Sequence, residues 1–119
     1  MLRSLRFPKT SRLTRAAEFQ RVREEGVLTR GKLLSLGVLI AAAEDGTRAG
    51  FITSRRVGGA VTRNRVRRRL RDIVRRHQHH LLGGAWIVVI AHRAAAAARY
   101  HDLEHEWLRL AKRASILAP

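Results

Sequence analysis

The chain has 119 residues, with 25 Lys plus Arg against 9 Asp plus Glu, and therefore a formal net charge of +16. A field of that size attracts polyanions, and the length suits one domain, 1–119. The absence of Cys excludes disulfides, zinc–thiolate sites and thiol nucleophiles, and no apolar run reaches the roughly 20 residues of a membrane helix. We therefore expect a nucleic-acid partner, no membrane partner and a reducing, cytoplasmic location.

The first 15 residues contain five basic residues and no acid, which is typical of a transit peptide or of a basic arm of the mature protein, and we expect a flexible arm over residues 1–11. A secretory signal is excluded because this segment has no apolar core. A helix is predicted over Arg15–Glu25, with Thr14 as its N-cap and Gly26 at its end. Three residues spaced three apart are expected to face inward: Ala16, Phe19 and Val22.

Two strands are predicted next, over Leu33–Ala41 and Ala49–Thr53, with a further short strand possible at Val27–Arg30. The dipeptide Asp45-Gly46 between the first two is typical of a tight turn. These two strands are therefore predicted to pair as an antiparallel hairpin.

The segment Arg55–Ala60 is predicted to be a loop, and a helix is predicted to begin at Val61 and to end by Gly83-Gly84. Its apolar residues form one helical stripe: Val66, Leu70, Ile73, Val74 and His77. Because this stripe contains no Trp or Phe anchor, packing on a sheet is favoured over binding to a membrane surface.

A continuous apolar run, Trp86–Ile90, predicts a strand buried on both faces. A connector over His92–Arg99 leads to a last helix, Tyr100–Ser115. The apolar face of this helix consists of Leu103, Trp107, Leu110, Ala111 and Ala114. The order of elements predicts a single α+β domain, a sandwich with its helices packed on one side of the sheet.

Ten arginines and one acidic residue, Asp72, lie between Arg55 and Arg76. A solvated helix surface normally alternates charge signs, whereas here arginine faces arginine at positions 63/67, 65/69, 67/71 and 71/75. Each such pair costs about 0.2–0.5 kcal/mol in an isolated helix, which favours a polyanion opposite it. The low aromatic content, 5%, disfavours a base-stacking sheet surface, and DNA is the alternative partner to RNA.

The predicted strand Ala49–Thr53 is followed by Ser54-Arg55-Arg56 and then by Val57-Gly58-Gly59-Ala60-Val61-Thr62-Arg63-Asn64-Arg65. This segment, 50–71, resembles the signature of the bacterial ribonuclease P protein component. Weaker similarity extends over Glu18–Val22, over Trp86–Arg93 and over the last helix, and so covers most of the chain.

The resemblance implies a fold like the second domain of ribosomal protein S5, a two-layer α-β-β-β-α-β-α sandwich with a left-handed βαβ crossover. It also implies that the chain is the protein subunit of an endoribonuclease, with one protein for each catalytic RNA. The subunit would bind that RNA and the 5′ leader of precursor tRNA, whose removal gives the mature 5′ end. Phosphodiester hydrolysis and most of the Mg²⁺ would belong to the RNA, with no catalytic residue in the protein. A ribosomal or other structural RNA-binding protein of the same fold is the alternative.

The resemblance and the charge pattern together predict nine RNA-binding residues: Arg55, Arg56, Arg63, Asn64, Arg65, Arg67, Arg68, Arg69 and Arg71. Asn64 has two interpretations, a helix N-cap or a contact to RNA. A cluster of three histidines, His77, His79 and His80, is assigned to the core and to the helix end, because no carboxylate lies at ligand spacing beside them. No metal site is therefore expected in the protein.

The resemblance also implies a leader-binding cleft between the first helix and the sheet. Three residues are assigned to it: Phe19, Arg23 and Ser54. Phe19 has a core position as its alternative. Many family members have aromatic residues at the positions that Arg23 and Gly37 occupy here, which disfavours stacking of leader bases and suits a contact from Arg23 to phosphate.

Overall fold

The computed structural model of the chain describes residues 12–13, 15–40, 47–81 and 84–117. The elements in chain order are α1 (Ala16–Glu25), β1 (Val27–Arg30), β2 (Leu34–Ile40), β3 (Arg48–Ile52), α2 (Ala60–Arg76), β4 (Ala85–Ala91) and α3 (Tyr100–Arg113). Short 3₁₀ turns lie at Arg55–Val57, Gln78–His80 and Arg93–Ala96. The α-β-β-β-α-β-α order is confirmed. None of the described helices is long and apolar enough to cross a membrane.

The four strands form one mixed sheet in the order β1-β2-β4-β3. β4 lies between β2 and β3, antiparallel to the first and parallel to the second. The predicted hairpin of β2 with β3 is therefore wrong. A strand that is apolar on both faces is most stable at the centre of a sheet, so β4 separates the two strands that precede it. The Asp45-Gly46 turn lies outside the described residues.

Alternate residues of the central strands point to opposite faces of the sheet, as strand geometry requires. One face packs against α2 and α3 and contains Leu34, Leu36, Val38, Ile87 and Val89. The other face contains Leu39, Trp86 and Val88, which pack against Leu13 and against Val22 of α1. Helices thus lie on both faces of the sheet, and the expectation that they lie on one side is wrong. The reason is that Trp86 and Val88 are apolar and are buried on the second face by α1 and Leu13.

The apolar stripe of α2 is confirmed. Val66, Leu70, Ile73 and Val74 are fully buried, and His77 lies half-buried where the helix ends. The helix follows a turn at Gly58, whose φ of 151° favours glycine. It ends at Arg76, earlier than the glycine pair predicted.

The bounds predicted for α1 agree with the structure at its end, where the Gly26 N–H donates to the Val22 carbonyl. At its start, the Arg15 N–H donates to the Glu18 carboxylate, and Thr14 lies outside the described residues. Phe19 and Val22 face inward, but Ala16 is exposed, so its predicted inward position is wrong.

The apolar face of α3 is confirmed by the complete burial of Leu103, Trp107, Leu110 and Ala111, whereas Ala114 is half-buried beyond the helix end. This face also contains a carboxylate that no apolar pattern predicts. Glu106 is 8% exposed and accepts hydrogen bonds from the N–H groups of Lys32 (3.2 Å), Leu33 and Leu34 (2.7 Å). It thereby ties α3 to the start of β2.

A polar contact joins α2 to the start of α3. The Tyr100 hydroxyl donates to Asp72 Oδ2 at 2.6 Å, and Arg75 also pairs with Asp72. The hydrogen bond from Tyr100 is the largest reason why the pKa of Asp72 lies below its ordinary value, with Arg75 adding to it and burial opposing it.

Replacing Tyr100 with Phe is expected to flatten the acid dependence of folding stability. Because the pKa of Asp72 is lower folded than unfolded, its ionised form stabilises the fold above about pH 4 and loses that effect as the pH falls through the folded pKa. The variant should therefore lose less stability than the wild type when urea unfolding is measured at about pH 6 and about pH 3. An equal loss in both proteins would contradict the assignment.

Candidate nucleic-acid interface

The interface predicted from sequence lies where β3 and β4 end. These strands are parallel neighbours, so their carboxyl ends meet at one edge of the sheet. The 3₁₀ turn Arg55–Val57 follows β3 at this edge, and α2 begins directly after it. The sequence Thr53–Arg71 contains no acidic residue, so the turn and the first three turns of α2 carry only positive charge.

One row of arginines on α2 is hydrogen-bonded to the segment that precedes α3. Arg65 Nη2 donates to the Ala96 carbonyl at 3.1 Å, and Arg69 Nη1 donates to the Ala98 carbonyl at 3.2 Å. Both acceptors are neutral carbonyls, so neither hydrogen bond pairs its guanidinium with a negative charge.

A second row lies toward β3. Arg67 donates to Thr53 Oγ1 at 2.6 Å, and the pKa of Arg71 lies below its ordinary value because of burial and then because of the nearby charges of Arg12 and Arg67. Arg12 forms an isolated bridge with Ala49 of β3. Three cations are thus concentrated between α2 and the sheet edge, and a phosphate beside them would relieve their repulsion.

Several of the predicted arginines have no internal partner. Among the described residues, no hydrogen bond or ion pair is formed by the side chains of Arg55, Arg56, Arg63, Arg68 and Arg71. Arg55, Arg56 and Arg68 are exposed, and the Nε atoms of Arg63 and Arg71 are buried without an acceptor. These side chains are free to take an external anion.

Asn64 lies one turn inside α2, since the residue before the helix is Gly59. The N-cap interpretation of Asn64 is therefore wrong. Its side chain is exposed, and its Oδ1 accepts a hydrogen bond from Arg67 at 3.2 Å.

A groove lies between α1 and the sheet on the face opposite α2. Its lining includes Phe19, Val22, Arg23, Gly37, Ile52 and Ile90. The structure therefore brings Phe19 and Arg23 together in one groove, with Gly37 on its floor. Ser54 is exposed two residues beyond Ile52 and is not part of this lining.

Phe19 belongs both to the packed core and to the lining of the groove. The ring packs against the buried cluster around Trp86 and also lines the groove. Its position depends on Gly50, because a Cβ at that residue would lie 2.5 Å from the Phe19 ring.

A polar pair beside the groove was not predicted from the sequence. Ser35 is paired in register with Ile90 of the groove lining, and its Oγ lies 2.7 Å from His92 Nε2. His92 Nδ1 lies 3.4 Å from the Lys32 carbonyl, which can only accept a hydrogen bond. The one signal in the sequence is Ser35 itself, a polar residue within an apolar strand.

The histidines lie where the sequence placed them. His77 stacks on Trp107 with ring centroids 5.8 Å apart, and its Nε2 is 3.0 Å from Glu104 Oε2. His79 and His80 are exposed in the 3₁₀ turn after α2. Within the described ranges, no three His, Asp or Glu side chains are grouped closely enough to hold a metal ion.

Known proteins resemble the chain over nearly its full length. A family model described as Ribonuclease P matches residues 7–115. The ribonuclease P protein component of Halalkalibacterium halodurans is 33% identical over 111 residues, which cover 93% of each chain. That of Acidothermus cellulolyticus is 39% identical over 104 residues, or 87% of each chain.

Solved structures show the same fold. The RNase P protein of Staphylococcus aureus superposes with a TM-score of 0.83 at 25% identity, covering 90% of this chain and 97% of that one. The RNase P protein of Thermotoga maritima, solved with 1-(4-fluorophenyl)-2-thiourea, gives a TM-score of 0.74 at 25% identity and covers 81% and 92% of the two chains.

Proposed function

The chain belongs to the ribonuclease P protein family, and from this premise we propose which of its surfaces binds each RNA. It is the protein component of an endoribonuclease and associates with the ribonuclease P RNA. We propose that α2 and the turn Arg55–Val57 dock on the catalytic RNA, with one protein for each RNA. The groove between α1 and the sheet then holds the 5′ leader of precursor tRNA.

The observation that carries the docking proposal is the acid-free surface of the first three turns of α2. A rigid helix presents arginines at fixed spacing, and several have no internal partner. Arginine suits this task because its planar fork of donors matches phosphate oxygens. The cations concentrated around Arg71 also need an anion, which a folded RNA supplies at high density.

The groove fits a single strand because it combines an apolar floor with a cation at its rim. Phe19 offers one ring for stacking, Arg23 offers a contact to phosphate, and Gly37 leaves the floor open. The imidazole of His92, fixed by hydrogen bonds at both nitrogens, borders the same face. Precursor tRNA carries a leader that mature tRNA lacks, so binding in this groove favours the precursor.

In the part of the chain that the structure describes, no three carboxylates are grouped closely enough to form a Mg²⁺ site. Glu18 pairs with Arg48, Glu104 with His77, and Glu106 with backbone N–H groups. Mg²⁺ requires several oxygen ligands in an octahedron, and these carboxylates lie apart and are already engaged. We therefore assign Mg²⁺ to the RNA and no catalytic residue to the protein, which acts in the cytoplasm by binding and positioning.

Cleavage of precursor tRNA at low Mg²⁺ tests this function. The protein is mixed with its cognate catalytic RNA, and leader release is followed beside a reaction with the RNA alone. We expect faster cleavage with the protein and tighter binding of precursor than of mature tRNA. If the protein does not accelerate cleavage, and precursor and mature tRNA bind with equal affinity, the chain is instead a structural RNA-binding protein of the same fold.

Replacing Arg68 and Arg71 together with alanine is expected to weaken binding to the catalytic RNA. Each lost phosphate contact should lower the slope of log affinity against log salt by about 0.7–0.9. Binding is measured across a series of monovalent salt concentrations, with thermal unfolding as a check on the fold. Arg113→Ala, an exposed change at the far end of α3, is the control and should keep the wild-type slope. An unchanged slope in the double variant would mean that these side chains face solvent.

A further inference from the structure

The end of β4 continues the basic edge that begins at the end of β3. The two strands are parallel and in register at Ile52 and Ile90, so Arg55 and Arg93 each follow the paired position by three residues. The 3₁₀ turns that contain these arginines contact each other. The turn that contains Arg93 therefore lies beside the turn that contains Arg55, although the two arginines are far apart in the sequence.

The segment 92–99 is fixed to α2 by that helix's own arginines. Arg65 holds the Ala96 carbonyl at 3.1 Å, and Arg69 holds the Ala98 carbonyl at 3.2 Å. These two bonds connect the segment to the row of α2 that faces it. The segment is consequently held against the helix as a continuation of the same surface.

The two charged residues of this segment, Arg93 and Arg99, are both positive. Arg93 and Arg99 are exposed, and neither guanidinium forms a hydrogen bond or ion pair with another described residue. No acidic residue occurs between His92 and His101. The exposed residues between the two arginines are Ala94 and Ala97, whose small side chains allow a polymer backbone to approach closely.

We propose that segment 92–99 is a second part of the surface that docks on the catalytic RNA. Arg93 and Arg99 contact phosphates, while Arg65 and Arg69 act as positioning residues that hold the segment in place. This inference rests on the proposed function and extends the interface beyond α2. The chosen partner is RNA because the surface is cationic, free of acids and continuous with α2.

Alanine variants of Arg93 and Arg99, single and combined, test the contacts. Each single change should lower affinity for the catalytic RNA about threefold to tenfold, and the double change should lower the salt slope by about 0.7–0.9 for each arginine. Arg113→Ala is the matched control, an exposed arginine about 20 Å away along α3. Affinity and slope equal to those of the control would overturn the inference. A loss confined to precursor tRNA, with catalytic RNA bound normally, would also overturn it.

A double-mutant cycle tests the positioning role. Arg65→Ala is made in the wild-type chain and in the Arg93→Ala, Arg99→Ala chain, and binding to catalytic RNA is measured for all four proteins. If Arg65 acts through the segment, its replacement costs less affinity in the second background than in the first. Equal costs in both backgrounds would show that Arg65 acts independently and would overturn the positioning role.

The wild-type chain separates failure of this inference from failure of the proposed function. If the wild type accelerates leader cleavage but the Arg93 and Arg99 variants bind the catalytic RNA with wild-type affinity, only the inference fails. If the wild type neither binds the catalytic RNA nor accelerates cleavage, the proposed function fails and the inference with it.

Discussion

Replacing Leu70 with alanine is expected to lower the free energy of unfolding by about 2–5 kcal/mol. Leu70 is 0% exposed at the centre of the α2 stripe, between the sheet and α3. Truncation removes apolar contact and leaves a cavity that the surrounding core cannot fully close. Urea unfolding at neutral pH measures the loss.

Val61→Ala is the matched control for this change. Val61 lies on the same helix but is 83% exposed, so its truncation should alter stability by less than about 0.5 kcal/mol. Similar values for the two variants would show that α2 does not pack on the sheet through this stripe.

Replacing Glu106 with alanine is expected to destabilise the fold by about 3 kcal/mol or more. The change leaves the N–H groups of Lys32, Leu33 and Leu34 without their acceptor, and each buried donor that loses its partner costs about 1–3 kcal/mol. Leu34 is fully buried, so water does not replace the carboxylate there. The loss is measured by urea unfolding.

Glu106→Gln separates the acceptor from the size of the side chain. An amide keeps one acceptor oxygen but turns a donor toward the same N–H groups, so we expect it to recover only part of the loss. Glu24→Ala is the control, because Glu24 is exposed and, among the described residues, accepts a side-chain hydrogen bond only from Gln20 of its own helix. If Glu106→Ala costs no more than this control, the carboxylate does not hold the start of β2.

The elements that the sequence predicts best are those with a strong period. The stripe from Val66 to His77 recurs at helical spacing, and Trp86–Ile90 is apolar without interruption. Burial alone fixes both patterns, so both could be predicted without knowledge of the neighbouring elements.

Strand pairing could not be predicted in the same way. The Asp45-Gly46 dipeptide indicates a reversal of the chain but says nothing about a later strand inserted between the two it joins. The apolar character of β4 contained the missing information, since a strand buried on both faces belongs at the centre of a sheet and needs helices on both sides.

The candidate interface likewise has one part that the sequence predicts and another part that only the fold shows. The concentration of arginine over 55–76 is visible in the sequence, and it predicts the helix that faces RNA. The fold was needed to show that Arg65 and Arg69 hold backbone carbonyls whereas Arg68 does not. The roles of Glu106 and His92 depend on backbone groups about 60 to 75 residues away, and no local pattern records such partners.

The central position of β4 sets the order of events while the chain is being synthesised. Among the described strands, β4 is the partner that joins β3 to the sheet, and it begins only at Ala85. Before β4 leaves the ribosome, β1 and β2 are the described strands that can pair, and an isolated pair of strands has marginal stability in water. Trp107, the largest fully buried side chain of the core, follows later still. The arginine-rich segment 55–76 therefore emerges as part of an unfolded polycation amid ribosomal RNA, and the nascent chain acquires its selective surface only after β4 and α3 have been synthesised.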